Sequence, residues 1–259
     1  MQLRFYEEVI RLMTTPSHPA RPSFEQKAPP ARRAAFLLDF DGTLVDIAPT
    51  PDSVRVEPGL IDTLLHLKEV CGGALAIVTG RPIAQIDHFL PGVATAIAGE
   101  HGLTLRRHPG IPEEPVTATP LPEEWLDQAR MLVASTPNTA IEHKKAGLVL
   151  HYRGNPDAEH SFRTAIETWL AGQDQFEIHP SKMAWEIRLA GIHKGKAVEA
   201  LMTQSPFAGR VPVFVGDDVT DMDGIRAARA MGGYGYLIPD DFPTGHDFRT
   251  WLARYGENA

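Results

Sequence analysis

The residues best equipped for chemistry stand at Asp39-Phe40-Asp41-Gly42-Thr43, where two carboxylates one position apart meet a glycine that permits a tight turn. Further along come Thr79-Gly80-Arg81, then Lys194, then Gly216-Asp217-Asp218 with Asp221 just beyond. Each group sits at the end of an apolar run or the start of a helical pattern. Carboxylates gathered in one place repel one another unless a hard divalent cation lies among them, and an oxygen-rich site that also holds phosphate favours Mg²⁺. A lysine ammonium and a threonine hydroxyl nearby would offset and orient the oxygens of a phosphoryl group. An Asp carboxylate can attack phosphorus to form an aspartyl-phosphate, while a metal neutralises charge on the group in transfer. Side chains alternate along a strand, so Asp39 and Asp41 are expected to serve one site differently, one by its side chain and the other partly by its backbone carbonyl. Taken singly, each feature has a plainer explanation: an acidic turn, a helix cap at Thr79, a solvated Lys194, or acids suited to a helix dipole at Asp217, Asp218 and Asp221. The ordered set is what those explanations leave out.

The flanking elements are of the kind that bring such residues together. Ala34 to Leu38 reads as a strand buried on both faces, and it ends in the two acids. A helix through Leu60, Ile61, Leu64, Leu65 and Leu67 stops at Gly72-Gly73. A strand over 74–78 leads to Thr79, a helix carries Ile83, Ile86 and Phe89, and a strand over 94–98 ends in Gly99-Glu100-His101-Gly102. The same alternation resumes with a helix after His193-Lys194-Gly195, a strand over 211–215, a helix from Asp221 to Met231 and a strand from Tyr234 to Ile238. Pro212 marks an end or an edge of its strand. The pattern predicts an α/β fold, a doubly wound Rossmann-like core on a parallel sheet, whose ligand site lies at the carboxyl ends of the strands.

Between the two halves the pattern changes to antiparallel α+β material. A helix is expected over Glu123 to Val133, strands around 141–145 and 148–153, and a helix through Phe162, Ile166 and Trp169. A hairpin follows, with strands 176–178 and 182–188 around His179-Pro180-Ser181. The expected division is an N-terminal extension (1–31), the first part of the core (32–108), an inserted cap (109–190) and the rest of the core (191–259). The extension holds a short helix, Leu3 to Met13, and then a proline-rich stretch. Alternation in the insert puts Lys182, Ala184, Glu186 and Arg188 on one face, opposite Met183, Trp185 and Ile187. His151 and Arg153 share a face with Val149, and Glu142 shares one with Lys144. Charged side chains that give and accept paired hydrogen bonds suit sugar hydroxyls; a solvated sheet face is the plainer alternative.

Composition narrows the partners. The 259 residues carry a formal net charge of −8, which disfavours nucleic acid or an anionic membrane surface as the main partner. Cys71 is the single cysteine, so no internal disulfide exists and a reducing, cytoplasmic setting is expected. No apolar run has the length of a membrane span, and the expectation is a soluble intracellular protein. Oligomeric state is left open by the sequence, which is compatible with a monomer.

In order, Asp39-Phe40-Asp41-Gly42-Thr43, Thr79-Gly80-Arg81, Lys194 and Gly216-Asp217-Asp218 resemble the four motifs of the haloacid dehalogenase superfamily of phosphatases. The insert and its borders resemble the trehalose-6-phosphate phosphatase family, through Ala98-Gly99-Glu100-His101-Gly102, Glu142-x-Lys144, His151-Tyr152-Arg153, Lys182-x-x-x-Glu186 and Gly216-Asp217-Asp218-Val219-Thr220-Asp221. The resemblance implies a Mg²⁺-dependent phosphatase of a small-molecule sugar phosphate, giving trehalose and inorganic phosphate. It implies Asp39 as nucleophile, Asp41 as acid and then base, and Thr79 and Lys194 on the phosphoryl oxygens. It implies metal ligation by Asp39, the Asp41 carbonyl and Asp217, with Asp218 and Asp221 supporting or ligating through water. The substrate side would draw on Gly80, Arg81, Glu100, His101, Gly102, Glu142, Lys144, His151, Arg153, Lys182 and Glu186. Three departures stand out: Met222 where the family has a glutamate, Leu189-Ala190 in place of a basic residue and a proline, and no glycine after the last strand. Another sugar phosphate, such as sucrose 6-phosphate or a glycosyl-phosphoglycerate, is the neighbouring possibility, and a silent phosphosugar-binding module the one from another class.

Overall fold

The structure, a computed structural model, describes residues 27–258 apart from 94, 109, 113, 116–119, 145 and 146. The helix expected over Leu3 to Met13 lies outside the described residues. The strands, in chain order, are β1 (Ala34–Leu38), β2 (Leu75–Val78), β3 (Ala96–Gly99), β4 (Thr104–Arg106), β5 (Glu114–Pro115), β6 (Ala140–Lys144), β7 (Gly147–His151), β8 (Phe176–Ser181), β9 (Ala184–Leu189), β10 (Val211–Gly216) and β11 (Tyr234–Leu237). The helices are α1 (Leu60–Val70), α2 (Ile83–Phe89), α3 (Glu123–Ala134), α4 (Glu159–Trp169), α5 (Lys194–Met202), α6 (Asp221–Ala230) and α7 (Gly245–Glu257). None of the described helices is long and apolar enough to cross a membrane.

Two compact units result. The first takes in the described chain up to Glu113 and from His193 onward, the second Glu114–Ile192. These borders fall a few residues beyond the expected 109 and 190. Arg106 pairs with Asp87 and Arg107 donates to the Ala200 carbonyl, which ties the stretch after β4 to the first unit. At the other border the Ala190 amide donates to Gln175 and prolongs the second unit's hairpin.

The first unit is built on strands in the order β11-β10-β1-β2-β3-β4. From β11 to β3 all neighbours are parallel, and β4 returns antiparallel to β3. The chain leaves β1 in one direction through β2 and β3, and continues on its other side through β10 and β11. That reversal makes the carboxyl ends of β1 and β10 the switch point, where a crevice opens in sheets of this kind. Strands buried on both faces need apolar residues at every position. Phe36, Leu38, Ile77, Val213 and Val215 therefore join the layer that includes α1, α2 and α7, while Ala35, Leu37, Ala76, Val78 and Phe214 meet α5 and α6. Pro212 is on no edge strand. β10 pairs with β1 from Val211, but β11 joins only at Val213, so the missing N–H of Pro212 interrupts no bond on that side.

The second unit is an antiparallel sheet of order β6-β7-β9-β8, with the buried Trp125 and Ala129 of α3 and Phe162 and Ile166 of α4 on its apolar side. Its last hairpin turns at Lys182-Met183, with Met183 at φ 58°, whereas the turn was expected at His179-Pro180-Ser181. Pro180 fits inside β8 because β8 is an edge strand, where a missing donor costs no ladder bond. Lys182 consequently lies in the turn rather than in β9.

Candidate active site

The β1 ladder carries on into the acidic motif: the Asp39 amide donates to the Val215 carbonyl at 2.9 Å. The chain then turns sharply, with Leu44 and Val45 amides both donating to the Phe40 carbonyl and Gly42 at φ +79°. Asp39, 3% exposed, accepts a hydrogen bond from Lys194 Nζ at 2.7 Å on Oδ1 and from Thr43 Oγ1 at 3.4 Å on Oδ2. Lys194 opens α5 and Asp221 opens α6, so two helix starts converge on the switch point. The same Nζ donates to Asp221 Oδ1 at 2.6 Å. The other Asp221 oxygen accepts the amides of Asp217 and Asp218, each at 3.1 Å, and so binds the end of β10 to the start of α6.

One carboxylate oxygen from each of Asp39, Asp217 and Asp221 lies within 4.8 Å of the others, a set that could hold a metal ion. Asp218, expected together with Asp221 to support the metal or ligate it through water, is not in that set. Its Oδ1 accepts from the Thr220 amide at 2.8 Å, Thr220 Oγ1 at 2.7 Å and the Asp221 amide at 3.3 Å, which caps α6. Two glycines let the acids come close. A Cβ on Gly42 would lie 1.9 Å from Asp217 Oδ2, and one on Gly216 would lie 2.1 Å from Asp221 Cγ.

The electrostatics show a shortage of positive charge. Burial pushes the Asp39 carboxyl up to about 6 against the pull of Lys194. Asp217 is raised to about 7 by burial and then by Asp218 and Asp221. Burial and the neighbouring Asp39 hold Asp221 well above the usual carboxylate range. Burial opposes the charge on Lys194, but Asp39 and Asp221 outweigh it and keep the ammonium protonated. Burial alone would raise Asp218, yet Lys194 and the Thr220 hydrogen bonds bring it below the usual range. Three carboxylates reluctant to ionise around one buried ammonium are a hard-oxygen donor set that fits a divalent cation such as Mg²⁺.

Arg81 has a different place from the expected one on the substrate. Its Nε and one terminal nitrogen grip both Asp41 oxygens at 2.6 and 2.7 Å, and the other terminal nitrogen donates to the Pro51 carbonyl at 2.9 Å and Gln85 Oε1 at 3.0 Å. The guanidinium lies over the rings of Phe40 and Phe89, at 5.5 and 5.2 Å. With most donors committed, it is placed to orient Asp41. Thr79 is buried at the end of β2, where its hydroxyl accepts the Arg81 amide at 3.1 Å. The Glu100-His101-Gly102 turn clasps this loop: the His101 amide donates to the Thr79 carbonyl at 2.9 Å and the Glu100 amide to the Arg81 carbonyl at 3.1 Å. The His101 ring packs where a Gly80 side chain would be, and a Cβ on Gly102 would lie 3.1 Å from Ala197 in α5. Glu100 and His101 both hold left-handed backbone, at φ 52° and 59°, a cost that surrounding structure sustains mostly at functional sites.

In the second unit, strand register puts Glu142, Val149, Glu186 and His179 in one row across the sheet. Its polar face carries paired charges: Lys144 with Glu186 at 2.8 Å, Glu142 with His151 at 2.9 Å, and Glu177 with His179 at 2.9 Å and Arg188 at 3.2 Å. Glu177 and His179 were not anticipated, because the stretch holding His179 was read as a turn. Arg153 falls in an exposed turn beyond the end of β7, and Lys182 is exposed in its own turn.

The trehalose-phosphatase family model matches residues 37–239. A probable trehalose-phosphate phosphatase of Sinorhizobium fredii is 40% identical over 211 residues, 81% of this chain and 79% of its own. The trehalose-6-phosphate phosphatase of Escherichia coli is 32% identical over 204 residues, 79% of this chain and 77% of its own. Among solved structures, the C-terminal domain of Candida albicans trehalose-6-phosphate phosphatase superposes with a TM-score of 0.68 at 21% identity, over 87% of this chain and 92% of that one. A haloacid dehalogenase-like hydrolase from Bacteroides thetaiotaomicron does so with a TM-score of 0.60 at 15% identity, over 86% of this chain and 98% of that one. With its motifs, its inserted unit and these relatives, the chain belongs to the trehalose-phosphatase family, phosphoric monoester hydrolases on a haloacid dehalogenase-like fold.

Proposed function

We propose that this chain hydrolyses trehalose 6-phosphate to trehalose and inorganic phosphate, with Mg²⁺ and through an aspartyl-phosphate on Asp39. The observation that carries the reading is the buried Lys194 shared between Asp39 and Asp221, with Asp217 beside them. Asp39, Asp217 and Asp221, with the Asp41 carbonyl, would hold the cation, which when bound neutralises charge on the phosphoryl oxygens. Lys194 orients the Asp39 carboxylate and offsets the charge that gathers as Asp39 attacks phosphorus. Asp41 then gives a proton to the departing sugar oxygen and takes one from the water that opens the acyl-phosphate. Both Asp41 oxygens are held by Arg81 here, so proton transfer requires one of them to come free. Thr79 supplies a hydroxyl for the phosphoryl group. Glu142, Lys144 and Glu186 on the open sheet face of the second unit are the proposed sugar-hydroxyl partners.

The test is phosphate release from a panel of trehalose 6-phosphate, sucrose 6-phosphate and a glycosyl-phosphoglycerate, with Mg²⁺ or with chelator. Trehalose 6-phosphate should be turned over in preference, only with the cation, and Asp39→Asn should abolish turnover while leaving the fold intact. Equal turnover across the panel would remove the substrate assignment, and an active Asp39→Asn would remove the mechanism.

A further inference from the structure

Helix α7 follows the residues that the family model matches, yet its first turn packs against the catalytic turn. Thr244 caps the helix, its hydroxyl accepting the Asp247 amide at 3.1 Å, which fixes the position of that turn. Gly245 comes so near that a Cβ there would lie 2.7 Å from the Gly42 carbonyl oxygen. One turn later Arg249 is buried, at 6% exposure, and its guanidinium reaches three points of the loop. Nε and one terminal nitrogen hold both Glu57 oxygens at 3.2 and 2.9 Å, and that terminal nitrogen also reaches Asp46 Oδ1 at 2.9 Å. The other terminal nitrogen donates to the Thr43 carbonyl at 3.3 Å. Thr43 in turn donates its hydroxyl to Asp39 Oδ2.

A guanidinium taken out of water is costly, and apolar packing would anchor a helix as well. What the planar fork adds is position: two donors on one carboxylate define a direction as well as a distance. We propose that Arg249 is a positioning residue for the reaction. Through the Thr43 carbonyl and the Asp46 and Glu57 carboxylates it sets the backbone from Asp39 to Asp46, and so where the Asp39 and Asp41 side chains stand. This rests on the roles given to those two acids above.

The experiment compares Arg249→Gln, Arg249→Lys and Gly245→Ala with Leu252→Ala, a core truncation in the same helix. Each is assayed for kcat and KM on trehalose 6-phosphate, below its own melting temperature by circular dichroism. Arg249→Gln should lose kcat by about tenfold to a hundredfold with KM within about threefold. Arg249→Lys should fall between it and the parent, and Gly245→Ala, which presses on the Gly42 carbonyl, should lower kcat in the same way. Leu252→Ala should lower the melting temperature and keep its kcat. If Arg249→Gln and Gly245→Ala instead keep kcat and lose only melting temperature, as Leu252→Ala does, Arg249 is a structural anchor and the proposal fails. Should Arg249→Gln not fold, Arg249→Lys and Gly245→Ala decide it by the same criterion. A parent protein inactive on every substrate of the panel would refute the proposed function rather than this inference.

Discussion

Gly42→Ala separates the two reasons for a glycine in the acidic motif. At φ +79° an alanine takes a left-handed backbone that costs about 1–2 kcal/mol. Its Cβ would also lie 1.9 Å from Asp217 Oδ2. Carbon–oxygen contacts settle near about 3.3 Å, so the Asp217 carboxylate has to retreat by more than about 1 Å. A misplacement of that size costs about a hundredfold in rate, or roughly 2.7 kcal/mol of transition-state stabilisation. Gly59 supplies the control: it sits at φ +86° with nothing within 4 Å of the position its Cβ would take. Both variants should therefore melt lower, by roughly 2–4 °C per kcal/mol in a chain of this size. Gly42→Ala alone should lose phosphate release and Mg²⁺ binding, the first by a steady-state assay and the second by calorimetry. If the two variants agree within about threefold in both, the close approach does not matter and the reasoning is wrong.

The carboxyls of Asp39 and Asp217, raised to about 6 and about 7 by burial, keep protons in the folded state that the unfolded chain has released. The metal-free protein should therefore lose stability as pH rises from about 4 through about 7, and the gain in melting temperature from Mg²⁺ should grow over the same range; a gain that does not change with pH in differential scanning fluorimetry would contradict this. Arg81→Lys keeps a charge but not the two-pronged grip on Asp41, and should lower kcat about tenfold with little change in KM. A rise in KM alone would return Arg81 to the substrate side. The Lys144–Glu186 pair is partly exposed and worth no more than about 1 kcal/mol to the fold, so Glu186→Gln should leave the melting temperature almost unchanged. It should raise KM for trehalose 6-phosphate, and an unaltered KM would take Glu186 out of the sugar site.

The core strands could be read from the chain because a strand covered on both faces leaves an unbroken apolar run, as in Ala34 to Leu38. The second unit's hairpin was misread at Pro180, since proline marks turns in general and an edge strand tolerates it only in a particular sheet order. Asp218 and Asp221 are alike in type and both stand at a helix start. Which of them caps the helix and which turns back toward the strand depends on the path of the β10–α6 turn, which residue types do not specify. Arg81 and Asp41 lie 40 positions apart, and Arg249 and Thr43 lie 206 apart. Nothing local marks such pairs, for they are made by the sheet order and the return of the last helix.

The placement of β1 beside β10 also has a consequence for synthesis. Asp39 leaves the ribosome 155 positions ahead of Lys194, and the strand that must lie next to β1 follows later still. The second unit's hairpins join segments close in sequence, so the entropy of closing them is small and they can form on the emerging chain. Through all of this Asp39 is kept apart from Asp217 and Asp221, which lie together on a later segment. All three become neighbours only when β10 docks, in the same event that brings Lys194 between Asp39 and Asp221. A nascent chain halted before Val211 would carry Asp39 and a finished insert but would lack Asp217 and Asp221.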